Sequence, residues 1–400
     1  MFKIILLSDF SEEYCKNLLR GITSYSKDHG PWTFCKMPTY YREKMGIDGI
    51  LQWAKEWKAE GIIGQFYNND EIKKFRQAKI PVIAQDFQER FTNIPNITGA
   101  YRETGRLGAE YFLKKGFKNF AFYGFSNIVW SRERAEGFED RIQEAGYNVH
   151  FFEHKDSRSM DLWYYKPSAL SEWLKSLPKP IALMACDDNQ GHHITEAARH
   201  AGIHIPDELA VLGVDNDEMI CNLSDPSLSS IELDSVKCGY EAARLMEQMI
   251  KTKTYSAPDI VHKATQVISR CSTDIFASKD KCIVTALKYI HGNLDKNLNV
   301  DLVLREVPLS RRSLEKRFIL TTGYPVYEYI YNQRIEKFTQ KLLETEMTIS
   351  EIALDLGLSD SKNIARQFKQ IKGLTPMEYR KKHMLSLHSV NGIIKVKETA

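Results

Sequence analysis

Two stretches near the end of the chain repeat one another, and this repeat restricts the possible folds more than any other feature. In residues 348–379, TISEIALDLGLSDSKNIARQFKQIKGLTPMEY, Thr348 and Glu351 have the spacing of a capping box, so a helix starts there. Ile349, Ile352, Ala353 and Leu356 recur at i, i+3, i+4 and i+7 and give it one apolar face. Gly357 permits a sharp stop, Leu358 turns inward, and Ser359 or Asp360 caps a second helix. On that helix Ile364, Phe368 and Ile371 face the first, while Ser361, Lys362, Asn363, Arg366 and Gln367 face away. Alone, such a pair reads as a plain helical hairpin. Residues 299–325 repeat it: Leu314, Phe318 and Gly323 recur as Ile364, Phe368 and Gly373. Outward Arg311, Arg312, Ser313, Lys316 and Arg317 recur as the outward set of the second unit. Two helix-turn-helix units are therefore expected. Pro325 opens a connecting helix to about Glu344, and roughly 20 helical residues span about 30 Å. Successive major-groove faces of double-stranded DNA lie about 34 Å apart, so one chain can address two of them. Base contact is expected from Arg312, Ser313, Asn363 and Arg366, and phosphate contact from the lysines.

Charge follows the same division. Residues 281–382 carry 18 Lys and Arg against 12 Asp and Glu, and residues 1–280 carry 35 against 39. A basic end on a slightly acidic body suits a small-molecule domain joined to a DNA reader. No run approaches the ~20 apolar residues of a membrane helix, so no membrane partner is expected. The opening MFKIILLSDF reads as a first strand and not as a signal peptide. Seven scattered cysteines without a CxxC fit buried thiols in a reducing cytoplasm. His192, His193, His200 and His204 have the spacing of surface helix positions, so neither a metal nor a cofactor is expected.

Ahead of the repeat, strands alternate with helices. KIILLS, WTFCKM, GIIGQF and PVIAQ are strands, separated by helices at 12–25, 50–58 and 71–78. The pattern resumes with a helix at 104–115, then FKNFAFYGF, a helix at 131–145, NVHFFE, a helix at 167–177, IALMACD, a helix at 191–201 and LAVLGVD. Such βα units make parallel sheets covered on both faces. The two blocks meet near 96–100, which suggests two lobes, closed by a helix at 236–250 and strands near Ile260 and Gln266. Ligands of parallel sheets bind beyond the carboxyl ends of the strands. Asp187, Asp188, Asn189, Asp215, Asn216, Asp217, Trp130, Arg132, Arg134, Ser8, Asp9, Phe10 and Asp86 stand there. Carboxylates, Asn and Arg match the close-set hydroxyls of a sugar, and an aromatic covers its C–H face.

The helical repeat and its ending GLTPMEYRKKH resemble the AraC-type DNA-binding domain over about 280–383. Ile364 departs from the aromatic more usual there; the site stays apolar, so repacking is expected. SRERAEGF, ACDDNQGHHITEAARHAGIHIPDELAVLGVDNDE, DPSLSSIELDSVKCGYEAARLM and SRCSTD resemble the periplasmic-binding-protein-like sugar domain of LacI-type regulators. Those regulators carry their helix-turn-helix in front, whereas this chain starts at the sugar domain. The resemblance implies an α/β two-lobed domain over 1–272, with lobe 1 about 1–99 plus 231–258 and lobe 2 about 100–230 plus 259–272. A linker at 273–280, an all-α domain at 281–384 and a tail at 385–400 follow. It also implies Asp187 and Asp215 as acidic sugar ligands and Arg134, beside Gly137 and Phe138, as the site arginine. Asn216, Trp130, Phe10 and Asp86 complete the candidate set, and Asp188 is expected to cap a helix. A sugar domain ahead of an AraC-type tail resembles the xylose-responsive members of that family. This implies D-xylose as ligand, activation of genes for its use, a homodimer, and RNA polymerase as the partner of an activator. Another pentose or a hexose stays open. A carbohydrate-acting enzyme using paired Asp residues lacks a raised-pKa acid across the bond and leaves the repeat without a purpose.

Overall fold

The structure, a computed structural model, describes residues 2–10, 12–37, 39–154, 167–255, 257–274, 280–296, 298–345, 347–356 and 361–381. The chain forms two compact units, residues up to 274 and residues after it.

The first unit opens with β1 (Lys3–Leu7), α1 (Glu13–His29), β2 (Thr33–Met37), α2 (Thr39–Trp57), β3 (Gly61–Gln65), α3 (Asn69–Gln77), β4 (Val82–Gln85) and β5 (Asn96–Gly99). It crosses to a second lobe with α4 (Tyr101–Lys114), β6 (Phe120–Phe125), α5 (Val129–Glu144), β7 (Val149–His154), α6 (Pro167–Ser176) and β8 (Ile181–Ala185). This lobe continues with α7 (Asp188–Ala201), β9 (Leu209–Val214), α8 (Glu218–Leu223) and β10 (Ser229–Leu233). The chain returns for α9 (Ser235–Thr252) and β11 (Ile260–His262), then ends the unit in the second lobe with β12 (Ala264–Ile268). The sheets run β11-β5-β4-β3-β1-β2 and β12-β10-β9-β8-β6-β7. Their pairs are parallel except β12 against β10.

The strand sequences explain this layering. In β1, Ile4 and Leu6 enter the core with Leu18, Ile22, Ala242 and Met246 of α1 and α9. Ile5 and Leu7 enter the opposite core with Ile50, Ala54, Ile72 and Phe75 of α2 and α3. A strand apolar on both faces belongs in the middle of a doubly covered parallel sheet. Helices α1 and α9 approach closely because Gly21 and Gly239 meet at the contact, where a Cβ would strike the carbonyls of Val236 and Leu18. The lobes join at Ala100, Asp234 and Lys263. Ala100 N–H donates to the His262 carbonyl at 2.9 Å, and Asp234 N–H to the Lys263 carbonyl at 3.0 Å. Lys263 N–H donates to the Asp234 carboxylate at 2.6 Å.

Several expectations need correction. Residues 96–99 form strand β5, too short and polar (NITG) to show a period, and the crossing to the second lobe follows it at Ala100. Strand β10 and helix α8 were not anticipated. β10 is SSIEL, and its serines are buried because Ser230 Oγ donates to Asp188 and Ser229 Oγ to the Arg270 carbonyl. The six residues of α8 leave Met219 and Leu223 exposed and show no apolar face. β10 lies in the second sheet and β11 in the first, so the lobe exchange falls at Asp234 and Lys263 rather than at 231 and 258. Helix α2 begins before the expected residue 50 and is broken at Gly46, whose φ of 64° suits glycine.

In the second unit α10 (Lys281–His291), α11 (Val300–Arg305), α12 (Arg311–Thr322), α13 (Val326–Glu344), α14 (Ile349–Asp355) and α15 (Ser361–Lys372) build two cores. Helix α13 gives Val326, Tyr329 and Ile330 to the first and Ile335, Phe338 and Leu342 to the second. The Thr348–Glu351 capping box forms as expected. Ile371, expected to face α14, is 41% exposed. The expectations for Gly357, Leu358, Ser359 and Asp360, for residues 275–279 of the linker and for the tail lie outside the described residues.

Candidate functional site

The order of each sheet reverses once, at β1 in the first and at β6 in the second. Crevices open at the carboxyl ends of strands at such switch points. From the second lobe, β8 delivers Asp187, which starts α7 by accepting the Gln190 N–H at 2.7 Å. The expected cap, Asp188, is instead 2% exposed and takes Ser230 Oγ at 2.6 Å and Asp217 N–H at 2.7 Å. Capping therefore falls to Asp187, whose backbone is extended (φ −152°, ψ 178°), and leaves its other oxygen with only the Cys186 thiol at 3.7 Å. Burial pushes Asp187 up to about 6, with Asp215 adding to the rise.

Asp215 and Asn216 end β9 with φ of 102° and 51°, the left-handed region that non-glycine residues occupy at a cost. Arg134, 3% exposed, donates to the Cys186 carbonyl at 2.5 Å, and its other nitrogen lies 3.6 Å from Asp215 Oδ1. Its guanidinium sits 5.3 Å from the Trp130 ring and 5.5 Å from the Tyr101 ring. Arg134 Nε and Asp215 Oδ1 are buried with no hydrogen-bond partner. Burial raises the Asp215 pKa, and Arg134 only limits the rise. Asn216 Oδ1 accepts from Arg270 at 2.7 Å, so it faces that side chain.

From the first lobe, Phe10 stands beneath Lys36, whose ammonium lies 4.7 Å above its ring. Asp86 is 2% exposed and accepts from Thr98 at 2.5 Å and Tyr101 at 2.8 Å. Burial still pushes it up to about 6. Asp86 thus ties β4 to β5 and α4, next to the inter-lobe joint. Glu12, at the start of α1, accepts from Asn189 of the other lobe at 2.9 Å. Burial, then Asp187 and Asp215, push its carboxyl up to about 8. Arg90 of the first lobe reaches Glu133 of the second at 3.1 Å, and Val129 N–H donates to the Phe87 carbonyl at 2.8 Å. At the cleft floor His262 lies between Tyr14 and Tyr101. Tyr14 Oη and His262 Nδ1 are buried without partners, and burial pushes the imidazole down to about 3, so it is neutral. Glu12, Tyr14 and His262 were missed because none ends a strand at the sheet switch points. Among the described residues no cluster of His, Cys, Asp or Glu suits a metal.

In the second unit, Ser310 caps α12 by accepting the Ser313 N–H at 3.3 Å, and Leu314 and Phe318 anchor its inner face. Arg311, Arg312 and Lys316 are exposed and Ser313 half-buried. Arg311 pairs with Asp301 at 2.9 Å. Arg317 departs from expectation: it makes a two-pronged ion pair with Asp280, both contacts at 2.5 Å, so it holds α12 to the start of α10. On α15, Ile364 is 3% exposed, Arg366 is exposed and Gln367 half-buried. The side chains of Ser361, Lys362 and Asn363 lie outside the described residues. Arg334 donates to the Leu294 carbonyl at 3.2 Å, and Arg380 to those of Leu342 at 2.8 Å and Met347 at 2.6 Å. Gly323 and Gly373 share φ near 80° (79° and 76°), ending α12 and α15 alike.

Residues 109–273 match a periplasmic binding protein-like domain and residues 303–382 a helix-turn-helix domain. The chain is 27% identical over 386 residues to the xylose operon regulatory protein of Escherichia coli (strain K12), covering 94% of this chain and 96% of that one. Over 103 residues, 26% of this chain, it is 31% identical to the regulatory protein SoxS of Salmonella typhimurium, spanning 96% of that protein. The solved structure of a xylose-binding transcription activator is similar with a TM-score of 0.59 at 25% identity, covering 95% of this chain and 97% of that one. These relatives are regulators, not enzymes. The chain is a sugar-responsive DNA-binding regulator of the helix-turn-helix class, similar over nearly its whole length to the xylose operon regulatory proteins, with a periplasmic-binding-protein-like domain ahead of its helix-turn-helix domain.

Proposed function

We propose that this regulator senses D-xylose in the cleft between its α/β lobes and reads double-stranded DNA through α12 and α15. The observation that carries the sensor is two buried polar atoms without a hydrogen bond, Nε of Arg134 on α5 and Oδ1 of Asp215 after β9, on side chains that approach each other to 3.6 Å through another guanidinium nitrogen. A buried polar atom left unbonded costs about 1–3 kcal/mol, and a sugar hydroxyl supplies both missing bonds. Asp187 offers its uncapped oxygen, Trp130 an apolar face, and Asn216 supports the turn through Arg270. Asp86 acts from behind, holding Tyr101 at the joint, and Phe10 borders the cleft on the first lobe.

Sugar binds one lobe arrangement more tightly than the other, and that difference shifts the population of DNA-binding states. Arg312, Ser313, Asn363 and Arg366 read bases. Arg311, Lys316, Ser361, Lys362 and Gln367 hold phosphate and set register. Arg317 steadies α12. The chain works in the cytoplasm as a homodimer and activates xylose-use genes through RNA polymerase. Residues 1–272 are the sensor, 273–280 the linker, 281–384 the reader and 385–400 a tail. The test is calorimetric titration with D-xylose, L-arabinose, D-ribose and D-glucose, for the chain and for Asp215→Ala. Saturable binding of D-xylose that the variant loses supports the reading. Preference for another sugar removes the xylose assignment, and binding unaffected by Asp215→Ala removes the site.

A further inference from the structure

Glu12 stands where the first lobe meets the second. Its Oε2 accepts from Asn189 across the cleft at 2.9 Å. The titratable groups that act on it are acidic: Asp9 on its own turn, Asp187 after β8, and Asp215 and Asp217 after β9. The cations bordering the cleft have partners of their own, apart from the open Nε of Arg134; Arg132 donates to the Ser126 carbonyl at 3.3 Å. Arg134 is held by the Cys186 carbonyl and Asp215. Arg270 is held by Asn216 and the Leu228 carbonyl at 2.9 Å, and Arg90 by Thr98 and Glu133. Lys36 lies over Phe10. The remaining polar atoms of the floor, Tyr14 Oη and His262 Nδ1, are unpartnered and uncharged.

We propose that Glu12 reinforces the charge specificity that Asp187 and Asp215 give the cleft, which admits uncharged polyhydroxyl ligands and disfavours their anionic derivatives, sugar phosphates and aldonic acids. This rests on the reading of the cleft as a sugar site. A hydroxyl donates to a carboxylate, whereas a phosphate brings a charge near −2 and only acceptors. One carboxylate about 6 Å from a unit negative charge, at an effective dielectric constant near 20, weakens binding roughly hundredfold. Burial and the neighbouring carboxylates hold the proton on Glu12 up to about pH 8. Below that pH rejection falls to Asp187 and Asp215; above it Glu12 adds its own charge.

The test compares D-xylose with α-D-xylose 1-phosphate by calorimetry at pH 7 and pH 9, where the phosphate charge is constant. In the unmodified chain the preference for the free sugar should grow severalfold, up to about tenfold, between the two pH values, as one carboxyl titrating near pH 8 allows. In Glu12→Gln, which keeps an acceptor for Asn189, the preference should not change with pH. In Glu12→Lys the phosphate should gain at least tenfold on the sugar at both. Tryptophan-fluorescence melting checks that the variants stay folded. Equal binding of sugar and phosphate, or the same pH response in Glu12→Gln, overturns the inference and leaves the sugar site standing. Binding of neither overturns the sugar site itself, and the inference with it.

Discussion

Replacing Arg134 by Met keeps much of the stem's volume and removes the guanidinium. Two interactions go: the 2.5 Å hydrogen bond to the Cys186 carbonyl and the counter-charge 3.6 Å from Asp215. The side chains of this pair are 4% and 20% exposed, so solvent screens it little. At an effective dielectric constant near 20, unit charges at that distance interact by about 4–5 kcal/mol. Met recovers some packing between Trp130 and Tyr101, and Asp215 relieves itself further by taking a proton. The net loss is then about 3 kcal/mol, at the low end for a broken buried pair. The sign of the pH dependence follows. Burial already raises Asp215, and without Arg134 it rises further, so above the ordinary carboxylate range the folded variant binds more protons than the unfolded chain. Its stability therefore falls as pH rises from that range through the raised pKa, more steeply than that of the unmodified chain. Urea unfolding followed by tryptophan fluorescence isolates the effect, because all six tryptophans lie before residue 274. A variant within about 1 kcal/mol of the parent, with the same pH slope and intact sugar binding, would refute the role given to Arg134.

Phe368 is fully buried, with the rings of Phe338 and Tyr379 centred 5.6 Å and 5.3 Å away. Phe368→Ala should cost the second helical core about 3–5 kcal/mol. Hydrogen exchange should speed up in α14 and α15 but not in α10 to α12, whose core is separate; equal loss in both would contradict two cores. Arg312→Ala should lose roughly tenfold discrimination at one base pair. Lys316→Ala should weaken all sequences alike and lower the salt slope of binding by about one. Reversed effects would exchange their roles.

Much of this molecule was legible because its signals are long and periodic. β1, β8 and β9 are unbroken apolar runs, and the helices between them carry one apolar face each. The paired helix-turn-helix was legible through repetition, down to the capping box at Thr348. What stayed hidden was decided by contacts rather than pattern. NITG becomes β5 through parallel pairing with β4 and with β11, which follows it by most of the first unit, and Asn96 hydrogen-bonds Asp259 just before β11. Asp187 and Asp188 are adjacent and chemically identical. Which one caps α7 depends on the extended backbone of Asp187 and on Ser230 and Asp217 waiting for Asp188. Arg317 matched the outward pattern of its helix, yet Asp280 lies within its reach. Glu12 looked like one more acidic residue in a first turn. Its meaning comes from a cleft that brings it to carboxylates some 175 and 200 positions later (Asp187 and Asp215).

The central claim is that a sugar in the cleft controls what the helical repeat reads. The most direct measurement is selection of binding sequences from random double-stranded DNA by the full chain, with and without D-xylose, and with Asp215→Ala. The account predicts enriched half-sites about one helical turn (10–10.5 base pairs) apart. Their recovery should depend on D-xylose in the unmodified chain and not respond to it in the variant. The same sequences enriched equally with and without the sugar would contradict the account.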